Sequence, residues 1–284
     1  MLRSLQTCLK IHSRYGAYRL ASNATEEQQQ FVSVSEISGV REIMLNHPKT
    51  LNSLSMDMMT ALQDAMIKDV DDINLRCIVL SAKGKMWSAG HNLKELQGNQ
   101  EIQERVFQKL TDIISTIQKI PVPVIAKVNG YAAAAGCQLV ASCDMLVCSD
   151  KSMFSTPGAS VGVFCSTPGI AISRIMPRPK AAYMLLTGLP IGGEEAYIAG
   201  LATKVVPEAE LDDEIDRITC AIKSKSRAVI SFGKKFFYQQ LGMPLNKAYE
   251  QGKTKMCDNL KLADSQEGIQ SFIEKRPPKW NHEN

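Results

Sequence analysis

The sequence GYAAAAGCQ at residues 130–138 follows a short apolar run that predicts a buried strand, and GKMWSAGHNLK at residues 84–94 follows another. Each stretch places small residues where a strand gives way to a helix, so the backbone can approach a ligand and present free N–H groups. Two such groups that converge on one point form an oxyanion hole, which stabilises negative charge on a carbonyl oxygen. The two stretches therefore predict an α/β fold with a site suited to thioesters.

Together with three further pieces, these turns resemble the enoyl-CoA hydratase/isomerase (crotonase) superfamily over residues 31–279. The pieces are VREIMLNHPKTLNSLS at 40–55, PVPVIAKVNG at 121–130 and EEAYIAGLATKVVP at 194–207. Each piece alone is weak evidence for the resemblance, whereas their shared order and spacing are strong evidence for it. The resemblance implies a crotonase (ClpP/crotonase-like) fold, a spiral of β-β-α units with a helical extension at the carboxyl end.

Strand and helix signals divide the chain into three parts. Residues 1–30 form an amino-terminal segment, and residues 31–178 alternate strand and helix patterns, as an α/β core requires. Residues 179–284 are mostly helical and are predicted to serve oligomerisation. The resemblance implies a homotrimer, or a hexamer of two trimers, in which this part also helps to close the CoA pocket. The sequence alone equally permits a self-contained helical subdomain.

The net charge of +4 is concentrated at the amino terminus. Residues 1–25 contain four basic and no acidic side chains, and the rest of the chain holds 29 of each sign. A basic, acid-free segment predicts a mitochondrial transit peptide and hence a matrix location, with a disordered cytosolic tail as the alternative. The neutral body gives no reason to expect a nucleic-acid partner. No apolar run approaches the roughly 20 residues of a membrane helix.

Metal and cofactor chemistry are not expected. The 8 cysteines form no C-x-x-C pair, and the chain has only 4 histidines. Most of these cysteines lie in apolar runs and are predicted to be buried, reduced thiols. The resemblance implies an acyl-CoA thioester as the ligand, so coenzyme A would be part of the substrate and not a separate cofactor.

The resemblance assigns the two oxyanion-hole donors to the backbone N–H groups of His91 and Ala135. Tight helix packing by the small residues at 132–136 is the alternative explanation of that stretch. We expect the imidazole of His91 to pack or hydrogen-bond and not to act as a general base. The residues implied in binding the acyl-CoA are Ala89, His91, Asn92, Leu93, Lys94 and Ala135. Lys94 would screen a CoA phosphate or else be a solvated surface lysine.

The acid/base positions decide the reaction. Family hydratases carry two glutamates, and the matching positions here are Gln138 and Gly158. Gln can hold a water or a carbonyl but cannot take a proton, and Gly has no side chain. Because positioned acids and bases contribute roughly 10²–10⁴-fold, little hydratase activity is expected. A further family position falls on Ser166, a predicted helix cap beside a buried Cys165 thiol.

The sequence thus predicts a mitochondrial acyl-CoA-binding protein of fatty acid metabolism with a backbone oxyanion hole and Gln138 as the remaining catalytic candidate. One alternative is an enzyme that hydrolyses or decarboxylates a thioester with a non-standard acid/base. Another is an active enoyl-CoA hydratase/isomerase. Asp144 is expected to tie a loop amide. The acyl chain length is left open, because pocket depth is expected to depend on loops around residues 97–105.

Overall fold

The computed structural model describes residues 31–283. The predicted transit peptide and tail, residues 1–30, lie outside the described residues. The strands of the described part are β1 (Val32–Ile37), β2 (Val40–Leu45), β3 (Cys77–Ala82), β4 (Met86–Ser88), β5 (Val124–Val128), β6 (Tyr131–Ala133), β7 (Met145–Ser149), β8 (Met153–Ser155), β9 (Ile191–Gly192) and β10 (Lys204–Val206).

The helices are interspersed among these strands and dominate the carboxyl half. In chain order they are α1 (Met56–Ile67), α2 (Leu93–Leu96), α3 (Gln100–Lys119), α4 (Ala135–Ala141), α5 (Ser166–Ser173), α6 (Arg178–Thr187), α7 (Gly193–Ile198), α8 (Leu211–Lys223), α9 (Arg227–Gln240), α10 (Leu245–Asn259) and α11 (Ala263–Ile273). Residues 100–105 belong to α3, so most of the stretch 97–105, around which loops were expected, is helical.

Two sheets carry the described fold. The larger sheet has the order β1-β2-β3-β5-β7-β10, and the smaller has the order β4-β6-β8-β9. The hairpin between β1 and β2 turns at Ser38 and Gly39, both with positive φ (51° and 78°), as a tight two-residue turn requires. From β2 onward all pairs of the larger sheet are parallel. Its central strands are buried on both faces, which explains their continuous apolar runs.

Helices cover both faces of the larger sheet. On one side α1 begins at the cap Ser55, whose hydroxyl accepts the Met58 N–H at 3.2 Å, as predicted. The helix α3 on that side buries a stripe at helical spacing that consists of Val106, Leu110, Ile113 and Ile117. On the other side α8 packs Leu211 and Ile215 against the sheet.

Parts of the chain beyond residue 178 also join the sheets. β10 pairs with β7 at the edge of the larger sheet, and β9 pairs with β8 in the smaller one. The helix α9 is fastened to the larger sheet by Asp144, whose carboxylate accepts the Val124 N–H at 2.6 Å, the Lys234 ammonium at 2.6 Å and the Tyr238 hydroxyl at 2.6 Å. Asp144 thus ties a backbone amide as predicted, but that amide belongs to the first residue of β5 and not to a loop. No helix within residues 31–283 is long and apolar enough to span a bilayer.

Candidate active site

The two glycine-containing turns leave the smaller sheet side by side, because β4 and β6 are parallel neighbours. Gly90 has a φ of +91°, a conformation that side-chain-bearing residues rarely adopt. A Cβ atom at Gly90 would lie 2.9 Å from the Cβ of Ala134 and 3.0 Å from the backbone nitrogen of Ala135. The residue before His91 is thus in direct contact with the second predicted donor.

A second close approach locks the same two turns together. A Cβ atom at Gly136 would lie 2.6 Å from the carbonyl oxygen of Ser88. Only glycine fits there, because the atom it would meet is main-chain and cannot move aside. The small residues of the alanine-rich turn therefore serve tight packing, the alternative explanation of that stretch. Their role in an oxyanion hole stays a prediction.

The backbone on either side of the predicted donors is engaged in hydrogen bonds. The Ala89 N–H donates to Leu51 O at 3.0 Å, and Gly90 O accepts the Leu54 N–H at 2.8 Å. The Ala134 N–H donates to Ser155 O at 2.9 Å. By contrast, the N–H groups of His91 and Ala135 donate to no acceptor within the described residues. Two free donors on adjoining turns are what an oxyanion site requires.

The conformation of Ala134 is strained. Its φ is +49° and its ψ is −118°, a region that L-residues other than glycine seldom occupy. Such strain costs of order 1–3 kcal/mol and persists only where the surroundings impose it. At Ala134 the surroundings are the bond to Ser155 and the contact with Gly90, and the resulting bend sets the direction of the Ala135 N–H.

The imidazole of His91 packs as predicted and faces away from bulk water. Burial lowers its pKa, so the ring is neutral near pH 7. Its Nδ1 lies 3.4 Å from Leu54 O, and its ring meets that of Phe107 edge-on at 5.3 Å. Its Nε2 is buried without a partner among the described residues.

Two further buried acceptors without partners lie near the same turns. Gln138 is 5% exposed and its Oε1 has no donor, and Thr156 is fully buried with its Oγ1 unpaired, within the described residues. Gln138 sits one helical turn beyond Ala134, and Thr156 follows Ser155, to which Ala134 is bonded. Thr156 was not predicted. Its only sequence signal is its place two residues before Gly158, the second predicted acid/base position.

The neighbourhood of Gly158 is filled by its own loop. A Cβ atom there would lie 2.1 Å from Val163 O and 2.7 Å from the Cys165 Sγ. The Gly158 N–H donates to that sulfur at 3.3 Å. Desolvation raises the pKa of Cys165, which therefore stays a thiol, consistent with the predicted buried cysteine. The Ser166 cap prediction is wrong: Cys165 holds the cap position and Ser166 is the first residue of α5.

The remaining predicted binding residues follow the first turn. Asn92 caps the amino end of α2, and its side-chain oxygen accepts the Lys94 N–H at 3.2 Å. Leu93 is 58% exposed and Lys94 is also exposed. The loop thus presents one apolar and one cationic side chain to solvent within a few residues of the free His91 amide.

A family model described as enoyl-CoA hydratase/isomerase matches residues 35–283. The chain belongs to the enoyl-CoA hydratase/isomerase family, and both the predicted family and the crotonase fold class are confirmed.

Relatives cover most of the chain. The human "Enoyl-CoA hydratase domain-containing protein 3, mitochondrial" is 50% identical over 260 residues, or 91% of this chain and 86% of the relative. The Xenopus laevis protein of the same name is 46% identical over 270 residues, or 94% and 92%. Because such relatives are named mitochondrial, the predicted mitochondrial location is confirmed at this level; the matrix compartment stays a prediction.

Solved structures agree with the fold. The crystal structure of human enoyl coenzyme A hydratase domain-containing protein 3 has a TM-score of 0.87 at 50% identity and covers 88% of this chain and all of that one (100%). An enoyl-CoA hydratase from Mycobacterium smegmatis has a TM-score of 0.85 at 40% identity and covers 88% of this chain and 98% of that one.

Proposed function

We propose that the protein binds acyl-CoA thioesters, with the thioester oxygen held by the N–H groups of His91 and Ala135. The observation that carries this proposal is that both amides lack acceptors within the described residues while Gly90 holds their turns in contact. Family membership supports a CoA thioester as the ligand. In this proposal the protein acts in mitochondrial fatty acid metabolism.

Hydratase activity is proposed to be weak or absent. Hydration requires one group to activate water and another to protonate the α-carbon, and the matching positions carry Gln138 and Gly158. Gln138 is neutral at every physiological pH. The carbonyl of Val163 and the sulfur of Cys165 occupy the space that a side chain at residue 158 would need, which supports the loss of this function.

A panel of acyl-CoA esters tests the proposal by thermal shift and by mass spectrometry of the products. Ala135→Pro removes one donor at the first position of a helix, and Ala135→Gly is the matched control that keeps the N–H. Because proline also restricts the conformation of Ala134 before it, circular dichroism first checks that both variants are folded. We expect the proline variant to bind at least tenfold more weakly than the glycine variant. Equal affinity of the two variants, or no binding by the natural protein, would refute the proposal.

Thioester hydrolysis is a second candidate function. It is favoured by the unfilled acceptors Gln138 Oε1 and Thr156 Oγ1, which could hold an attacking water beside the amides. A thiol-detecting assay measures release of free CoA. Thr156→Val keeps the side-chain shape and removes the hydroxyl, so it should slow hydrolysis and leave binding intact. No thiol release above the uncatalysed rate would exclude this second function.

We also propose that the chain assembles as a homotrimer or a hexamer of two trimers. Support comes from large apolar side chains that the single chain leaves exposed on its carboxyl-terminal helices, such as Leu245 at 73%, Tyr249 at 75% and Phe272 at 85%. Light scattering coupled to size-exclusion chromatography gives the mass directly, and a monomer at micromolar concentration would contradict the assembly.

A further inference from the structure

Two arginines are buried beside the amino-terminal end of β3, a central strand of the larger sheet. Arg76 directly precedes β3 and is 8% exposed, and Arg227 begins α9 and is 4% exposed. The free amides lie beyond the other end of β3, after β4, so this cluster is separate from the candidate active site. Burying a guanidinium is costly unless an opposite charge pairs with it.

Neither arginine forms an ion pair with a carboxylate within residues 31–283. Arg227 donates to Leu75 O at 3.0 Å and to Val70 O at 2.8 Å. Arg76 donates through Nη2 to Lys225 O, while its Nε is buried without any acceptor among the described atoms. These three hydrogen bonds end on backbone carbonyl oxygens. Carbonyl groups are neutral and do not compensate the positive charge of a guanidinium.

His282 adds to the shortage of acceptors. Its Nε2 lies 3.2 Å from Arg76 Nη1, and its Nδ1 lies 3.3 Å from the Arg227 N–H. A neutral imidazole has one acceptor nitrogen only, so it can satisfy one of these two donors and not both. Lys223 lies beside Arg76 and His282, and it forms no ion pair with any carboxylate in the described chain.

The nearest acidic groups are already engaged. Asp264 is buried, and its oxygens accept from Ser226 Oγ at 2.6 Å, Asn281 N at 2.7 Å and His282 N at 3.0 Å. Asp71 and Asp72 are exposed, and their charges offset only part of the effect of burial, which lowers the pKa of Arg227. Burial, and then the neighbouring Arg227, lower the pKa of Arg76 by more than the charge of Asp264 raises it, so the surroundings of this guanidinium disfavour its positive charge.

Arg76, Lys223 and His282 line a cleft that is open to solvent. Its volume is about 390 Å³, and its polar lining includes Ser38, Asn74, Arg76, Lys223 and His282. The lining offers several N–H donors on at least two cationic side chains and leaves buried donors unfilled. A tetrahedral oxyanion accepts several hydrogen bonds at once and matches the fork of an arginine.

We propose that the cleft between Arg76, Lys223 and His282 binds a phosphate-type oxyanion, either inorganic phosphate or the phosphoryl group of a monoester. The ligand supplies the acceptors and the negative charge that the buried Arg76 lacks. The site goes beyond the acyl-CoA proposal and does not depend on it.

The melting temperature of the full chain tests the site. It is measured without phosphate, with inorganic phosphate and with phenyl phosphate, at an ionic strength held constant with chloride. At about ten times Kd we expect the oxyanion to raise Tm by about 3 °C. A rise with phosphate alone identifies the free ion, and a rise with both identifies a phosphoryl site.

Matched variants separate the site from general salt effects. Lys223→Ala should lose most of the shift, whereas Lys225→Ala removes an exposed neighbouring ammonium outside the cleft and should keep it. Arg76→Met should lose the shift and, without phosphate, be at least as stable as the natural protein because it removes an uncompensated buried charge. A shift that Lys223→Ala retains in full, an equal shift with acetate, or no shift at all would overturn the proposal.

Discussion

Gly90→Ala tests the contact on which the candidate active site depends. The substitution imposes a side chain at a φ of +91°, which costs an L-residue about 1–2 kcal/mol. It also places a methyl group 2.9 Å from the Cβ of Ala134, 3.0 Å from the nitrogen of Ala135 and 3.1 Å from the oxygen of Ala133. Two of these neighbours are main-chain atoms of β6 and α4, so the turns must separate.

Gly84→Ala is the matched control. Gly84 has nearly the same φ, +95°, but a methyl group there has its nearest neighbour at 3.4 Å, the Cβ of Pro48. The control therefore carries the conformational strain without the collision. Overpacking of this kind typically costs about 1–3 kcal/mol. We expect Gly90→Ala to lower the free energy of unfolding by about 2–5 kcal/mol, and Gly84→Ala by about 1–2 kcal/mol.

Two measurements give the result. Urea denaturation followed by circular dichroism gives the two free-energy changes, and calorimetric titration with a short-chain acyl-CoA gives the affinities. Because separation of the turns misdirects the His91 and Ala135 amides, Gly90→Ala should bind at least tenfold more weakly, whereas Gly84→Ala should bind like the natural protein. Equal destabilisation by the two substitutions would refute the close packing. An unchanged affinity of a folded Gly90→Ala protein would refute the role of that packing in binding.

Three other substitutions follow from the same geometry. Ala134→Gly should relieve the strain at φ +49° and raise the stability by about 1 kcal/mol, seen as a higher urea midpoint; no gain would mean that the strain is absent. Gly158→Glu should give no crotonyl-CoA hydration in a spectrophotometric assay, alone or with Gln138→Glu, because Val163 O blocks the side chain; hydration by either variant contradicts this. The pKa of His91 is lowered on folding, so the unfolded chain binds more protons and the free energy of unfolding falls as the pH drops below about 6.5. His91→Leu should reduce this loss of stability between pH 7 and pH 5, measured by urea denaturation at both pH values. An unchanged pH dependence would contradict the prediction.

Local signals explain why much of the secondary structure could be predicted. The Ser55 cap and the apolar stripe of α3 depend on residues within a few positions of each other. Boundaries were less exact: the strand β6 (Tyr131–Ala133) lies inside what the sequence suggested was only a turn, and α3 reaches back into a predicted loop. In both cases pairing or packing with a distant segment decides the local state.

The sequence by itself determined the family and the two small-residue turns, since these depend only on residue identity and spacing. The assignment of the hydratase glutamate positions to Gln138 and Gly158 stays a prediction from the same spacing. The tertiary structure alone decided that Gly90 touches Ala135 and that Val163 fills the space beside Gly158. It also decided that Arg76 is buried without an ion pair to any carboxylate of residues 31–283. Such features arise where segments remote in sequence meet, and the distances between their atoms, which no local pattern encodes, set which polar groups are satisfied.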